Sequence, residues 1–129
     1  MSTLAAPRPL HDAARYERHA NLCKVLVDPK RLMLLDALRD GQASVSELAD
    51  RIGMSLANAS QHLSVLRHAG LVTPRRVGTT VYYMIAEPQI LEACDIVDRI
   101  VCGRQRREPE IAAEPARSDT SRYPSGSHS

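Results

Sequence analysis

Residues 45–69 read V-S-E-L-A-D-R-I-G-M-S-L-A-N-A-S-Q-H-L-S-V-L-R-H-A, and this stretch decides the fold. Leu48 and Ile52 stand four apart, with Val45 three before Leu48, which is one apolar stripe on a short helix. Gly53 breaks the pattern where a helix end favours a residue free to take positive φ. Ser55 follows as an N-cap. Ala59, Leu63 and Leu66 then repeat at i, i+4 and i+7, a narrow buried face. The other faces carry Ser55, Asn58, Ser60, Gln61, His62, Ser64 and Arg67. A solvated helix would mix both charge signs. A helix lying in a DNA major groove avoids carboxylates and offers amide, hydroxyl and guanidinium groups to base edges and phosphates. The stretch is read as a supporting helix over 46–53 and a recognition helix over 55–68, a helix-turn-helix. The competing reading is an ordinary helical hairpin inside a core.

Downstream, Ala69-Gly70 stops the second helix. Residues 71–76 and 80–85 are β-rich, with Val77-Gly78-Thr79 as the turn between them. Arg75 and Arg76 fall near the tip. A lone hairpin is marginal and must pack on the helices, so the whole predicts a winged helix whose arginines reach phosphates or the minor groove.

Upstream, Asp28-Pro29 restarts a helix, Asp28 as cap and Pro29 where its missing N–H does no harm. Leu32, Leu35 and Leu38 form its expected buried stripe, widened by Met33 and Leu34, and Gly41 ends it. Lys30 and Arg31 lie at its start, where the helix dipole does not favour cations. They are expected to face outward, to solvent or to something beyond the fold. A further helical pattern covers 11–27, as one bent helix or two short ones. At the other end Glu87-Pro88 opens a helix on which Ile90, Cys94, Val97 and Val101 form a stripe broadened by Ala93, Ile96 and Ile100. A last helix this apolar wants a partner, and its own copy is the simplest.

The expected fold class is mainly α with a two-stranded β-hairpin wing: a winged helix-turn-helix, forming a homodimer through its N-terminal and C-terminal helices. The chain divides into a flexible arm at 1–10, a DNA-binding and dimerisation domain at 11–103, and a disordered basic and polar tail at 104–129.

Composition sets the outer bounds. The chain has 129 residues, 43% hydrophobic, with no Trp or Phe and four Tyr, so the core is aliphatic. A net charge of +2 excludes a general polyanion binder and puts any DNA affinity in local patches. No apolar run approaches the ~20 residues of a membrane span, and the N-terminus lacks a signal-peptide core. Three cysteines without an export signal read as reduced thiols in the cytoplasm.

The order of motifs carries a resemblance. D-P-K-R-L (28–32), S-V-S-E-L-A (44–49), N-A-S-Q-H-L-S-V-L-R-H-A-G-L-V (58–72) and R-R-V-G-T-T-V-Y-Y (75–83), followed by a terminal apolar helix, closely resemble the ArsR/SmtB family of bacterial winged-helix repressors. The likeness covers about residues 20–102. It implies a homodimer on a palindromic double-stranded DNA operator, released by an inducer. By it Ser55, Asn58, Ser60, Gln61, His62 and Arg67 face DNA, with Arg75, Arg76 and Thr79 on the wing. Many relatives carry Arg or Lys where Thr79 stands, which weakens one phosphate contact.

Inducer sites in that family lie at several places on one scaffold. The arsenic-type Cys-x-Cys is replaced here by Ser44-Val45-Ser46, whose hydroxyls cannot stand in for soft thiolates. The zinc-type terminal-helix site lacks its histidines. The thiols Cys23, Cys94 and Cys102 remain. Cys102 resembles one cysteine of the persulfide-sensing members, whose other cysteine would fall near Asp36. Cys94 and Cys102 lie about 12 Å apart along one helix and cannot bridge. Cys23 and Cys102 are the candidate thiol sensors, open to persulfides or oxidants. Any metal site would draw on Cys23, Cys94 and Cys102, with a soft metal or metalloid ion as inducer and no resident cofactor required. Cys94, on the apolar stripe, also reads as core.

The sequence does not read as an enzyme. Cys23 with His19 is the nearest nucleophile–base pair, and it lacks an oxyanion element. The remaining alternatives are a winged-helix dimerisation module without thiol sensing and a constitutive DNA-binding regulator.

Overall fold

Capping side chains set where the first four α-helices start. The computed structural model describes residues 6–107. Helix α1 (Ala13–Val25) is capped by Asp12, whose carboxylate accepts from the Arg15 N–H. Helix α2 (Pro29–Ala37) is capped by Asp28, which accepts from Lys30 and Arg31 N–H, with Pro29 in the first turn. A 3₁₀ turn (Leu38–Asp40) leads to strand β1 (Ala43–Ser44) and helix α3 (Val45–Ile52). Ser44 and Glu47 form a reciprocal capping box at the start of α3. Helix α4 (Leu56–His68) is capped by Ser55, which accepts from the Asn58 N–H. Strands β2 (Val72–Val77) and β3 (Thr80–Ile85) follow, then helix α5 (Gln89–Arg107).

Glycines set where two helices stop. Gly53 takes φ +82° between α3 and α4, and Met54 N–H bonds back to Ala49 C=O at 3.0 Å. Gly70 takes the same φ after α4. There Leu71 N–H bonds Leu66 C=O and Gly70 N–H bonds Arg67 C=O, the paired closure that ends a helix with a left-handed residue. Leu66 and Leu71 are both buried, so the closure is welded to the core.

That core is aliphatic, as composition requires. Leu34, Leu35, Leu38, Leu48, Leu63 and Leu66 are the largest fully buried side chains. Leu71, Val72, Tyr83 and Ile90 complete the cluster from the sheet and α5. Ala49, Met54 and Ala59 pack separately at the corner between α3 and α4, where small side chains let the helices approach.

The structure departs from expectation in five places. The sheet has three strands in the order β1-β3-β2, all antiparallel, not two. Ala43 pairs with Tyr83 and Ser44 with Tyr82, and two residues are too few for a period to show. Leu32 is exposed while Leu34 takes its place inside. Arg31 turns inward, with only 16% of its side chain exposed. Helix α5 runs to Arg107, so the boundary at 103/104 falls inside it. Arginine and glutamine are good helix formers. Finally, α1 buries none of its residues. The predicted disorder of 108–129, and the first half of the arm at 1–10, lie outside the described residues.

The apolar sides of α5 and α1 are left uncovered. On α5, Ile96, Val97, Ile100 and Val101 remain 48–58% exposed. Tyr16 and Leu22 of α1 and Met33 of α2 are also open. Arg39 links the 3₁₀ turn to α5. Its guanidinium donates two bonds to Asp95, at 3.1 and 2.9 Å, and a third from Nε to Asp36 at 3.0 Å.

Candidate nucleic-acid interface

The α4 surface is built by burying one side of the helix. Ala59, Leu63 and Leu66 anchor it against α2 and α3, which leaves Ser60, Gln61, Ser64 and Arg67 exposed. At 100° per residue these four span about 120° of the helix surface. They present hydroxyl, amide and guanidinium groups, with no carboxylate among them. The sign is uniform well beyond the helix. No Asp or Glu occurs between Asp50 and Glu87, a segment that holds all of α4 and the wing together with Arg51, Arg67, Arg75 and Arg76.

Ser55 is exposed and spends its oxygen on the cap, which leaves its hydroxyl proton to donate outward. Asn58 is half-buried. His62 departs from the group. It lies about 140° around the helix from Arg67, half-buried, with Nδ1 3.3 Å from Arg31 Nη1. So α4 gathers Ser60, Gln61 and Arg67 on one surface, sets His62 on its flank, and adds Ser64, exposed in the middle of that surface.

The wing places its arginines on opposite faces. In the β2–β3 register Arg75 pairs with Tyr82, Arg76 with Val81 and Val77 with Thr80. Neighbouring strand residues point to opposite sides, so only one arginine can share a face with any given contact. Both are exposed, as is Thr79 in the turn.

The thiols are dispersed. Cys23 on α1 and Cys102 on α5 are exposed, and Cys94 is half-buried against the core. Desolvation, then the neighbouring Asp95 charge, raises the Cys94 thiol pKa, which makes it the poorer nucleophile expected of a packing residue. Asp36, where the resemblance would need a second thiol, is committed to Arg39. Among the described residues no three His, Cys, Asp or Glu side chains gather to hold a metal ion. A single chain therefore does not assemble Cys23, Cys94 and Cys102 into one site.

Comparison with known proteins sharpens this geometry. A helix-turn-helix domain model matches residues 26–75. The biofilm growth-associated repressor of Xylella fastidiosa is 36% identical over 88 residues, covering 68% of this chain and 77% of that protein. The chain belongs to the winged helix-turn-helix transcriptional regulators. The crystal structure of Rv0081 from Mycobacterium tuberculosis matches the regulator with a TM-score of 0.68 at 33% identity, over 75% of this chain and 98% of that one. The solution structure of Mb0332 from Mycobacterium bovis matches with a TM-score of 0.65 at 33% identity, over 82% and 96%. It is described as a homodimeric winged helix-turn-helix DNA-binding domain and a possible ArsR-family regulator, in line with the resemblance read from the motifs. Among the described residues of the regulator, no helix is long and apolar enough to cross a membrane.

Sequence reasoning missed two links, one in the fold and one at the site. Arg39 and Asp95 are 56 residues apart, and Arg31 and His62 are 31 apart. Neither pair has a local spacing that announces it.

Proposed function

We propose that the regulator is a homodimeric repressor that binds a palindromic operator in double-stranded DNA and acts in the cytoplasm. One observation carries this reading: the acid-free segment between Asp50 and Glu87 contains both the exposed α4 surface and the wing arginines. Ser55, Asn58, Ser60, Gln61, His62 and Arg67 serve the operator from α4, and Arg75, Arg76 and Thr79 serve it from the wing. The homodimer is supported by the uncovered apolar residues of α5 and by the homodimeric Mb0332 domain.

Fluorescence anisotropy on a duplex from the protein's own promoter, titrated with salt, tests the reading. Affinity should fall steeply with added salt, because each neutralised phosphate releases counterions. Replacing Arg75 or Arg76 by Gln should lower the slope by about one per lost phosphate contact, and the larger change identifies the arginine that faces DNA. A flat salt dependence overturns DNA binding as the function.

The inducer is proposed to act on thiols, by persulfide or oxidant chemistry or as a soft metalloid. Cys23 and Cys102 are exposed on the two helices whose apolar sides are uncovered, so a change at either would alter how copies pack. A Cys102→Ser protein that still leaves DNA when given polysulfide or arsenite would remove Cys102 from that role.

A further inference from the structure

Arg31 joins three elements through one side chain. Its Nε donates to Val25 C=O at 2.7 Å, at the end of α1. Its Nη1 lies 3.9 Å from Asp28, the α2 cap, and 3.3 Å from Nδ1 of His62 on α4. A guanidinium has donors and no acceptor. The His62 nitrogen facing it must therefore supply a lone pair, which leaves the ring proton on Nε2. The imidazole is thus presented as a neutral donor, held by a group that is itself fixed at two other points.

We propose that Arg31 is a positioning residue for DNA recognition: it holds His62 so that Nε2–H donates to a hydrogen-bond acceptor on the duplex. This rests on the DNA-binding reading above. The acceptor is a phosphate oxygen or the edge of a base, and the two give different outcomes below. Arg31 does not touch DNA. Its Nε and Nη1 are directed at Val25 and His62, Asp28 balances its charge, and only 16% of its side chain is exposed.

The experiment is a double-mutant cycle with Arg31→Met and His62→Ala. Binding is measured by anisotropy on a duplex that the protein selects from a random pool and on a scrambled duplex of equal length. His62→Ala should weaken binding about tenfold per half-site, the loss of one hydrogen bond to a strong acceptor. Arg31→Met should weaken it similarly, and should add nothing in the His62→Ala background. Neither change should alter the salt slope, because a neutral donor displaces no counterion. A loss equal on both duplexes assigns the acceptor to phosphate, and a loss confined to the selected duplex assigns it to a base edge.

Additive losses overturn the inference, as does a slope lowered by about one in Arg31→Met, which would make Arg31 a phosphate contact itself. Circular dichroism confirms that each variant is folded. If Arg31→Met does not fold, Arg31→Lys replaces it, since it exchanges the separate Nε and Nη1 donors for a single nitrogen without the rigid fork, and the same coupling is required of it. Wild-type protein that binds neither duplex brings down the DNA reading with this one. Retained salt dependence through Arg75 or Arg76 without coupling brings down only this one.

Discussion

Replacing Val97 and Ile100 together by glutamate should turn the regulator into a monomer and weaken operator binding by about two orders of magnitude or more. Both side chains are over half exposed on α5, beside Ile96 and Val101, and no described residue covers them. In a two-fold interface each substitution appears twice, so four carboxylates would meet where apolar groups belong. The operator effect is large because two linked recognition helices bind far more tightly than one, by about 10²–10⁴-fold when geometry permits both. Light scattering should give the mass of one chain instead of two. Circular dichroism should be preserved, since Ile90 is the α5 residue buried in the core. A dimer that survives both glutamates would place the interface elsewhere.

Leu63→Ala should cost about 2–5 kcal/mol of folding stability, read as a lowered midpoint in urea unfolding. Leu63 has no exposed surface and sits in the cluster with Leu34, Leu48 and Leu66. Truncation removes the buried methyl groups and leaves a cavity in an aliphatic core with no aromatic ring other than Tyr83 to slide into it. By contrast, Gln61→Ala on the exposed surface of the same helix should move the midpoint little and act on DNA binding. A Leu63→Ala protein as stable as wild type would mean that α4 is not seated as described.

Much of this was legible because it is local. The apolar spacing of Ala59, Leu63 and Leu66, the Asp28-Pro29 start and the Gly53 corner each depend on neighbours within one or two turns. The structure places all of them as the spacing requires. The caps at Asp28 and Ser55 are local for the same reason. What stayed hidden depends on distant partners. Whether Leu32 or Leu34 faces inward is set by how α2 meets α3 and α4, and periodicity along an unbroken apolar run, Leu32-Met33-Leu34-Leu35, cannot choose. The site divides in the same way. Ser60, Gln61 and Arg67 were readable from their chemistry and from the buried side they oppose. The flank position of His62 was not, because Arg31 reaches it from another helix. The alternation of Arg75 and Arg76 followed only once the register with β3 was known. The extent of α5 is hidden because charge and a nearby proline suggest a tail, although arginine and glutamine continue a helix well.

Ser44 has a consequence for how the molecule can move. It pairs with Tyr82 as part of the sheet, and its hydroxyl and N–H complete the first turn of α3 through Glu47. The sheet, at the middle of β3, and the supporting helix thus share a single residue. Rotation of the β-sheet about its own axis must carry α3 with it, and α3 carries α4 through the Gly53 corner. The wingtip, two residues at Gly78-Thr79, has no such tie. Lengthening the tip would vary reach along the duplex at little structural cost, whereas an insertion at the root near Ala43 would shift wing and reading helix together.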